Sequence, residues 1–264
     1  MSGSVLTRLT RTRPARAAAV VITCGGLLTA CAGDGTGLGI NLVPEEQVQQ
    51  MGQQTWAQIR SETPVSNNQT YQRAAQQVSA RLLQAGGMNP QAWEVVVFQG
   101  DEANAFALPS GKIGVYEGMF RMARNEAQLA AVIAHEIAHN EENHAAERVN
   151  TQAATSAGVQ IASAAAGVAG IDPQTAAALL GAGAQYGLTM PYSRNQELEA
   201  DRLGLNMMAR AGYDPRAAVE LWQRMAQQGG QPPTFLSTHP APQQRIDQLQ
   251  QMMPQALDIY RANT

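Results

Sequence analysis

"AVIAHEIAHNEENH", Ala131–His144, holds three of the four histidines in a chain of 264 residues. It sits inside a run that reads as helix from Asn125 to about Val149. Within it, His135-Glu136-Ile137-Ala138-His139 forms an H-E-x-x-H pattern. Side chains four apart share a helix face, so both imidazoles reach one metal ion at roughly 2.0–2.1 Å. Glu136, beside the first imidazole, reaches a metal-bound water rather than the metal itself. A five-residue pattern also arises by chance on a helix with surface histidines, so a metal site requires further parts elsewhere in the chain.

A catalytic zinc takes three protein ligands and keeps one position open. His144 is one candidate for the third. The longer pattern H-E-x-x-H-x-x-G-x-x-H calls for glycine at 142 and histidine at 145, where this chain has Glu142 and Ala145. His144 is therefore out of register and suits a place behind the ligands. A better candidate lies in "SRNQELEADRLGLNMMARAGYDP", Ser193–Pro215, where Glu197 and Asp201 fall four apart. Glu197 then binds the metal, and Asp201 accepts a hydrogen bond from a liganding imidazole, fixing its tautomer. Glu199 points about 200° away at ~3.6 residues per turn, toward solvent. The plain alternative for this pair is a charged helix surface, with Arg194 and Arg202 as neighbours.

Together these motifs resemble the HtpX-like and BepA-like zinc metallopeptidases, gluzincins that combine H-E-x-x-H with a later E-x-x-x-D. The resemblance runs from about Pro44 to Arg245. It takes in Asn104-Ala105-Phe106-Ala107, His135–His139, His144 with Glu147-Arg148, Glu197–Asp201 with Arg202-Leu203-Gly204, and Ser237-Thr238-His239-Pro240. It implies one Zn(2+) per chain held by His135, His139 and Glu197, with Glu136 as the catalytic base. His239, otherwise a loop histidine beside two prolines, is placed by the resemblance near the zinc. There it is either a fourth ligand in a latent state or a donor to the tetrahedral oxyanion, with Arg245 in support. Asn104–Ala107 corresponds to a substrate-binding edge, to which an extended peptide adds by main-chain hydrogen bonds; the alternative is an ordinary sheet edge. The repeat-rich C-terminal extension of BepA-like members has no counterpart here, so binding to outer-membrane assemblies through such repeats is not carried over.

Around the site, the pattern alternates in kind. From Pro44, Val48, Met51, Thr55, Trp56 and Ile59 recur at helical spacing as far as Pro64. A second helix, capped by Ser66, runs to Gly86-Gly87. "WEVVVFQG" (Trp93–Gly100) reads as a strand, and Asn104–Phe120 as two more around a Pro109-Ser110-Gly111 turn. The expected fold is α+β: a mostly helical zincin-type domain with a small mixed sheet beside the active-site helix. In residues 151–192 Asp172 is the sole charge. Two small-residue helices, packed on the domain or covering a cleft, are favoured there over a membrane hairpin.

The first thirty residues carry four arginines and no acid, followed by an apolar run ending in small residues. This describes an export signal; the run is too diluted by Ala, Gly and Thr for a transmembrane anchor, which needs about 20 strongly apolar residues. Leu28-Thr29-Ala30-Cys31 is similar to a bacterial lipoprotein signal, in which the cysteine becomes the lipid-modified first residue. Of the two cysteines, Cys24 falls within the cleaved part, so Cys31 has no disulfide partner. The expected organisation is a signal peptide at 1–30, a lipidated cysteine with a glycine-rich tether at 31–43, and a metallopeptidase domain at 44–264. Without residues 1–30 the chain has 14 basic against 21 acidic residues, a balance of −7, and no basic run, so nucleic acid is excluded as a partner.

These readings converge on a zinc-dependent endopeptidase of the bacterial envelope, anchored by lipid, facing the periplasm and more readily outer than inner membrane. Its substrates would be unfolded or misassembled envelope proteins. The alternatives are a catalytically quiet, zinc-stabilised protein that binds unfolded envelope proteins, and a zinc amidase acting on something other than protein.

Overall fold

The computed structural model describes residues 43–165, 191–228, 233–240 and 242–264, without the side-chain surroundings of 156–165 and 242. The stretch read as a signal, Cys31, the stretch read as a tether up to residue 42, and residues 166–190 of the stretch whose one charge is Asp172 lie outside the described residues. In chain order the elements are α1 (Glu45–Glu62), α2 (Gln69–Ala85), a 3-10 turn (Pro90–Ala92), β1 (Glu94–Phe98), β2 (Ala105–Leu108) and β3 (Lys112–Tyr116). There follow α3 (Glu117–Met122), α4 (Glu126–Glu141), α5 (His144–Ala165), α6 (Arg194–Arg210), α7 (Arg216–Gln227), α8 (Thr234–Thr238) and α9 (Pro242–Ala262). The mostly helical α+β architecture is as expected. Among the described residues no helix is long and apolar enough to cross a membrane.

The sheet is mixed, in the order β1-β3-β2, with β1 parallel and β2 antiparallel to β3. The β2–β3 turn places both Ser110 and Gly111 at φ 70°, a left-handed pair that favours glycine and short polar residues. Because strand side chains alternate between faces, Ala105, Ala107, Ile113 and Val115 enter the main core with α2 and α4. The opposite face presents Val96, Phe98, Phe106 and Leu108 to Trp56 of α1. Trp56 meets Phe98 edge-on at 5.7 Å, and its indole N–H donates to Glu94 Oε2 at 2.9 Å. Among the described residues no strand pairs with the outer edge of β2, and the Ala107 N–H on that edge donates to Glu136 of the helix described next.

Helix α4 runs through the centre, buried at every position from Gln128 to His139. Such a helix is apolar on all sides, which is why its two histidines and one glutamate need partners. It starts at Asn125, whose Oδ1 accepts from the Gln128 N–H at 2.9 Å, a cap worth about 1 kcal/mol. Helix α6 starts with a Ser193–Gln196 capping box and lies directly on α4. At Gly204 a Cβ would sit 3.0 Å from the backbone nitrogen of His135. Glycine there lets the helix bearing Glu197 and Asp201 approach the histidine helix.

Three local expectations are corrected. The run Asn125–Val149 is two helices, because Asn143 adopts φ 55°, a left-handed conformation that asparagine tolerates; the break swings His144 back toward His139. The cap of α2 is Asn68, whose Oδ1 accepts from the Thr70 and Tyr71 N–H groups. Ser66 instead donates to Glu117 and accepts from the Asn68 N–H. The third strand stops at Tyr116 instead of reaching Phe120. Helix α3 begins there at Glu117, and Gly118 packs so tightly on the Asp101 and Glu102 carbonyls that a Cβ would lie 2.3 Å from each. Val43, at the end of the stretch read as tether, is buried and donates its N–H to Asn150 Oδ1 at 2.8 Å.

Candidate metal centre

One face of α4 presents His135 and His139 a turn apart, with their Nε2 atoms 3.0 Å from each other. Helix α6 brings Glu197, whose Oε1 lies 3.3 Å from His139 Nε2 and Oε2 3.6 Å from His135 Nε2. His239 follows α8, with Nδ1 3.2 Å from His135 Nε2 and 3.0 Å from Glu197 Oε1. All four are buried, and their donor atoms lie within 4.8 Å of one another. Uncompensated lone pairs repel at such spacing. A tetrahedral ion with ligands at ~2.0–2.1 Å sets its ligand atoms roughly 3.3 Å apart, close to what these residues show. Imidazole and carboxylate donors so arranged fit a divalent metal.

The groups behind the donors settle their orientation. Asp201 Oδ1 lies 3.0 Å from His135 Nδ1, so a hydrogen there turns Nε2 inward as the lone-pair donor. The other imidazole is supported differently: His139 Nδ1 is 2.8 Å from His144 Nδ1. One nitrogen donates and one accepts, and a His139 that ligates through Nε2 must carry its hydrogen on Nδ1. His144 is then the acceptor, leaving its own hydrogen on Nε2, 3.5 Å from Glu199 Oε2. Replacing His144 by leucine should weaken metal binding about 10- to 100-fold. His144→Asn, whose carbonyl oxygen can accept the same hydrogen, should restore most of the loss. Competition against a chelating indicator measures both.

Arg245 neutralises the carboxylates. Its Nε and Nη2 donate to the two oxygens of Asp201, each at 2.7 Å. Nη1 stands 2.5 Å from Glu197 Oε2 without the alignment of a hydrogen bond. Burial raises the Glu197 carboxyl pKa, but Arg245, His239 and the hydrogen bonds of His135 and His139 outweigh it and hold the group ionised. Asp201 is likewise held low against burial by Arg245 and His135. Burial, then the nearby His135 charge, pushes His139 well below the usual histidine range, which keeps it in the neutral form that binds metals.

Glu136 is fixed by one oxygen. Its Oε2 accepts the Ala107 N–H at 3.0 Å, while Oε1 has no hydrogen bond and lies 3.2 Å from His239 Nε2. Burial raises its pKa. A cleft of about 150 Å³ opens here, lined by Asn104–Ala107 on one side and by Glu136, Tyr192 and His239 on the other. The Tyr116 N–H donates to Asn104 O. By antiparallel alternation Ala105 and Ala107 therefore turn their N–H and C=O groups to the free edge.

Among the described residues all the sequence-predicted site residues thus gather in one region; Cys31 lies outside the described residues. Glu199 departs from expectation: though half exposed, it contacts His144 and Arg202. The charged-surface alternative for Glu197 and Asp201 fails, since both are buried and their counter-ion is Arg245. Unforeseen was an aromatic frame. Tyr192 stacks on His139 at 3.7 Å, Phe235 on His239 at 4.1 Å, and Trp222 meets His135 edge-on at 5.7 Å. Arg148 lies over the Tyr192 ring at 3.6 Å. Aromatics at helical spacing read simply as core; the only local signal was Tyr192 standing directly before the Ser193 cap.

An H-E-x-x-H helix and a glutamate helix converging on buried metal donors, beside the free edge of a small mixed sheet, define a zincin-type metallopeptidase domain. Residues 69–253 match the model of Peptidase family M48, and the chain belongs to that family. It is 40% identical over 182 residues to a mitochondrial metalloendopeptidase OMA1 of Schizosaccharomyces pombe, covering 68% of this chain and 52% of that protein. It is 31% identical over 244 residues to the beta-barrel assembly-enhancing protease of Escherichia coli K12, covering 86% and 50% respectively. The Arabidopsis thaliana OMA1 is 32% identical over 224 residues, 83% of this chain and 44% of that protein. The chain thus spans about half the length of these relatives.

Proposed function

We propose that this protein is a zinc-dependent endopeptidase that cuts unfolded or misassembled proteins of the bacterial envelope. The observation that carries the reading is the unbonded Oε1 of buried Glu136, set beside four converging metal donors and a free strand edge. His135, His139 and Glu197 would hold the ion, which would lend Lewis acidity to water and to the scissile carbonyl. Glu136 is steadied through Oε2 by Ala107, so Oε1 takes the proton of the attacking water and passes it to the leaving amine. The Ala105 N–H and C=O and the Ala107 C=O align the substrate main chain. Asp201, His144 and Arg245 keep the ligands in place. Hydrolysis of unfolded casein, abolished by a chelator and restored by zinc, tests the proposal; a metal-loaded protein that leaves casein intact argues against it.

His239 has two roles in this reading. The spacing of its Nδ1 from the other donors supports a fourth ligand in a latent state, and a closed four-donor set is typical of structural zinc. The same observation favours the second reading, a catalytically quiet zinc-stabilised protein that binds unfolded envelope proteins. A loop that swings outward frees the fourth position and leaves His239 as a donor to the oxyanion. The casein assay separates a latent enzyme from a quiet binder.

The envelope setting rests on the N-terminal segment. Its relatives include a protease named for beta-barrel assembly and one named mitochondrial, so kinship alone does not select a compartment. Lipid on Cys31 anchors the domain to the membrane, the outer one by preference, with the tether spanning to Val43. Cys31→Ala should move the protein from the membrane to the soluble fraction. Mass spectrometry of the wild type should show an acylated Cys31 as the first residue, and an unmodified terminus there sinks the anchor.

A further inference from the structure

On its α1 side the cleft along the free edge of β2 has a recess of side chains that the chemistry above does not use; the cleft as a whole is also lined by Arg148 and Thr238. The Phe106 side chain belongs to the sheet face covered by α1. Its ring lies flat on Gly114, where even a Cβ would come within 2.3 Å of it. The missing side chain at 114 keeps the ring folded onto β3 instead of standing in the cleft, so the ring becomes a floor. Ile59 of α1 and Tyr116 at the end of β3 supply walls, and the same cavity reaches Glu136 and His239. The Tyr116 and Phe106 rings are 6.4 Å apart and tilted by 52°, a concave rather than a closed pair. Ile59, Phe106 and Tyr116 are each only partly buried, although they pack on the Trp56 cluster.

We propose that this recess is a specificity pocket that takes one large apolar side chain, aromatic or branched aliphatic, from a substrate residue flanking the bond to be cut. The inference rests on the peptidase reading above. A peptide paired to the free edge points successive side chains to opposite faces. Those on the α1 side fall on Ile59 and Phe106, while the main chain stays at Glu136. The whole cleft, catalytic end included, measures about 150 Å³, so no more than one ring-sized side chain fits its Ile59 end beside the main chain. Against Ile59 and the two rings a charged side chain would lose hydration. Alanine would leave the floor uncovered and forfeit the contacts.

The test uses decapeptides of Ser, Gln and Ala in matched pairs, with Phe or Ala at one position. Binding to zinc-loaded Glu136→Gln protein and cleavage by zinc-loaded wild type, with products weighed by mass spectrometry, are read separately. At one position the Phe peptide should exceed its Ala partner about tenfold or more in both readouts. Ile59→Trp fills the recess and should cut that ratio about tenfold. Ile59→Ala enlarges it and should shift the preference from Phe toward Trp, with thermal melts checking that both variants fold. A Phe-to-Ala ratio near one at every position, or one unmoved by both substitutions, overturns the pocket. Phe-selective binding without cleavage of any peptide overturns the peptidase reading and leaves the pocket standing.

Discussion

Glu136→Gln is expected to lower peptide hydrolysis by about 10²- to 10⁴-fold, the usual share of a general acid–base, with metal content and fold unchanged. The glutamine carbonyl can still accept the Ala107 N–H that Oε2 accepts now, so the side chain keeps its place. Its amide nitrogen then stands where Oε1 is free of hydrogen bonds, putting a donor where the reaction needs an acceptor. Glu136 is not among the four grouped metal donors, so no ligand is lost. Initial rates on casein beside elemental analysis for zinc check both halves. A variant that loses metal along with activity would recast Glu136 as part of the metal's support.

Arg245→Met should be the most destabilising single change at the centre, costing about 3–5 kcal/mol because it leaves buried carboxylates without their counter-ion. Arg245 is 1% exposed and touches both Asp201 and Glu197. Its guanidinium also lies over the Trp222 ring at 4.2 Å, so packing is lost with the charge. Arg245→Lys should recover little, since an ammonium cannot reproduce the two parallel bonds to Asp201. Urea titrations followed by circular dichroism, with saturating zinc and with chelator, measure the effect. A loss under about 1 kcal/mol in both conditions would place the neutralising charge elsewhere.

The parts of the site legible in the sequence are those that helix periodicity brings together. His135 with His139, and Glu197 with Asp201, follow from spacing alone, because four residues make about one turn. The β2 strand was legible from composition and a turn, its place as an edge only from the family resemblance, and its bonding register needed the structure. What spacing cannot supply is contact between elements. That His144 reaches His139 depends on a single left-handed residue, Asn143, inside a stretch whose composition favours unbroken helix. That Arg245 governs the charge of the site depends on α9 docking beside α6, a pairing no local pattern encodes. Gly204 is ordinary in sequence and becomes informative only when the His135 backbone lies 3.0 Å from its missing Cβ.

The separation of Arg245 from His135, 110 residues along the chain, also bears on when the metal centre can assemble during synthesis. Chains leave the ribosome N-terminus first at roughly 5–20 residues per second, so α4 emerges seconds before α9. In that interval the histidine helix exists without its counter-charge and without the loop carrying His239. The buried acids of α6, Glu197 and Asp201, meet their counter-ion only when Arg245 arrives. A chain that ends before α9 therefore lacks the assembled metal centre, whose parts meet only after Arg245 has left the ribosome.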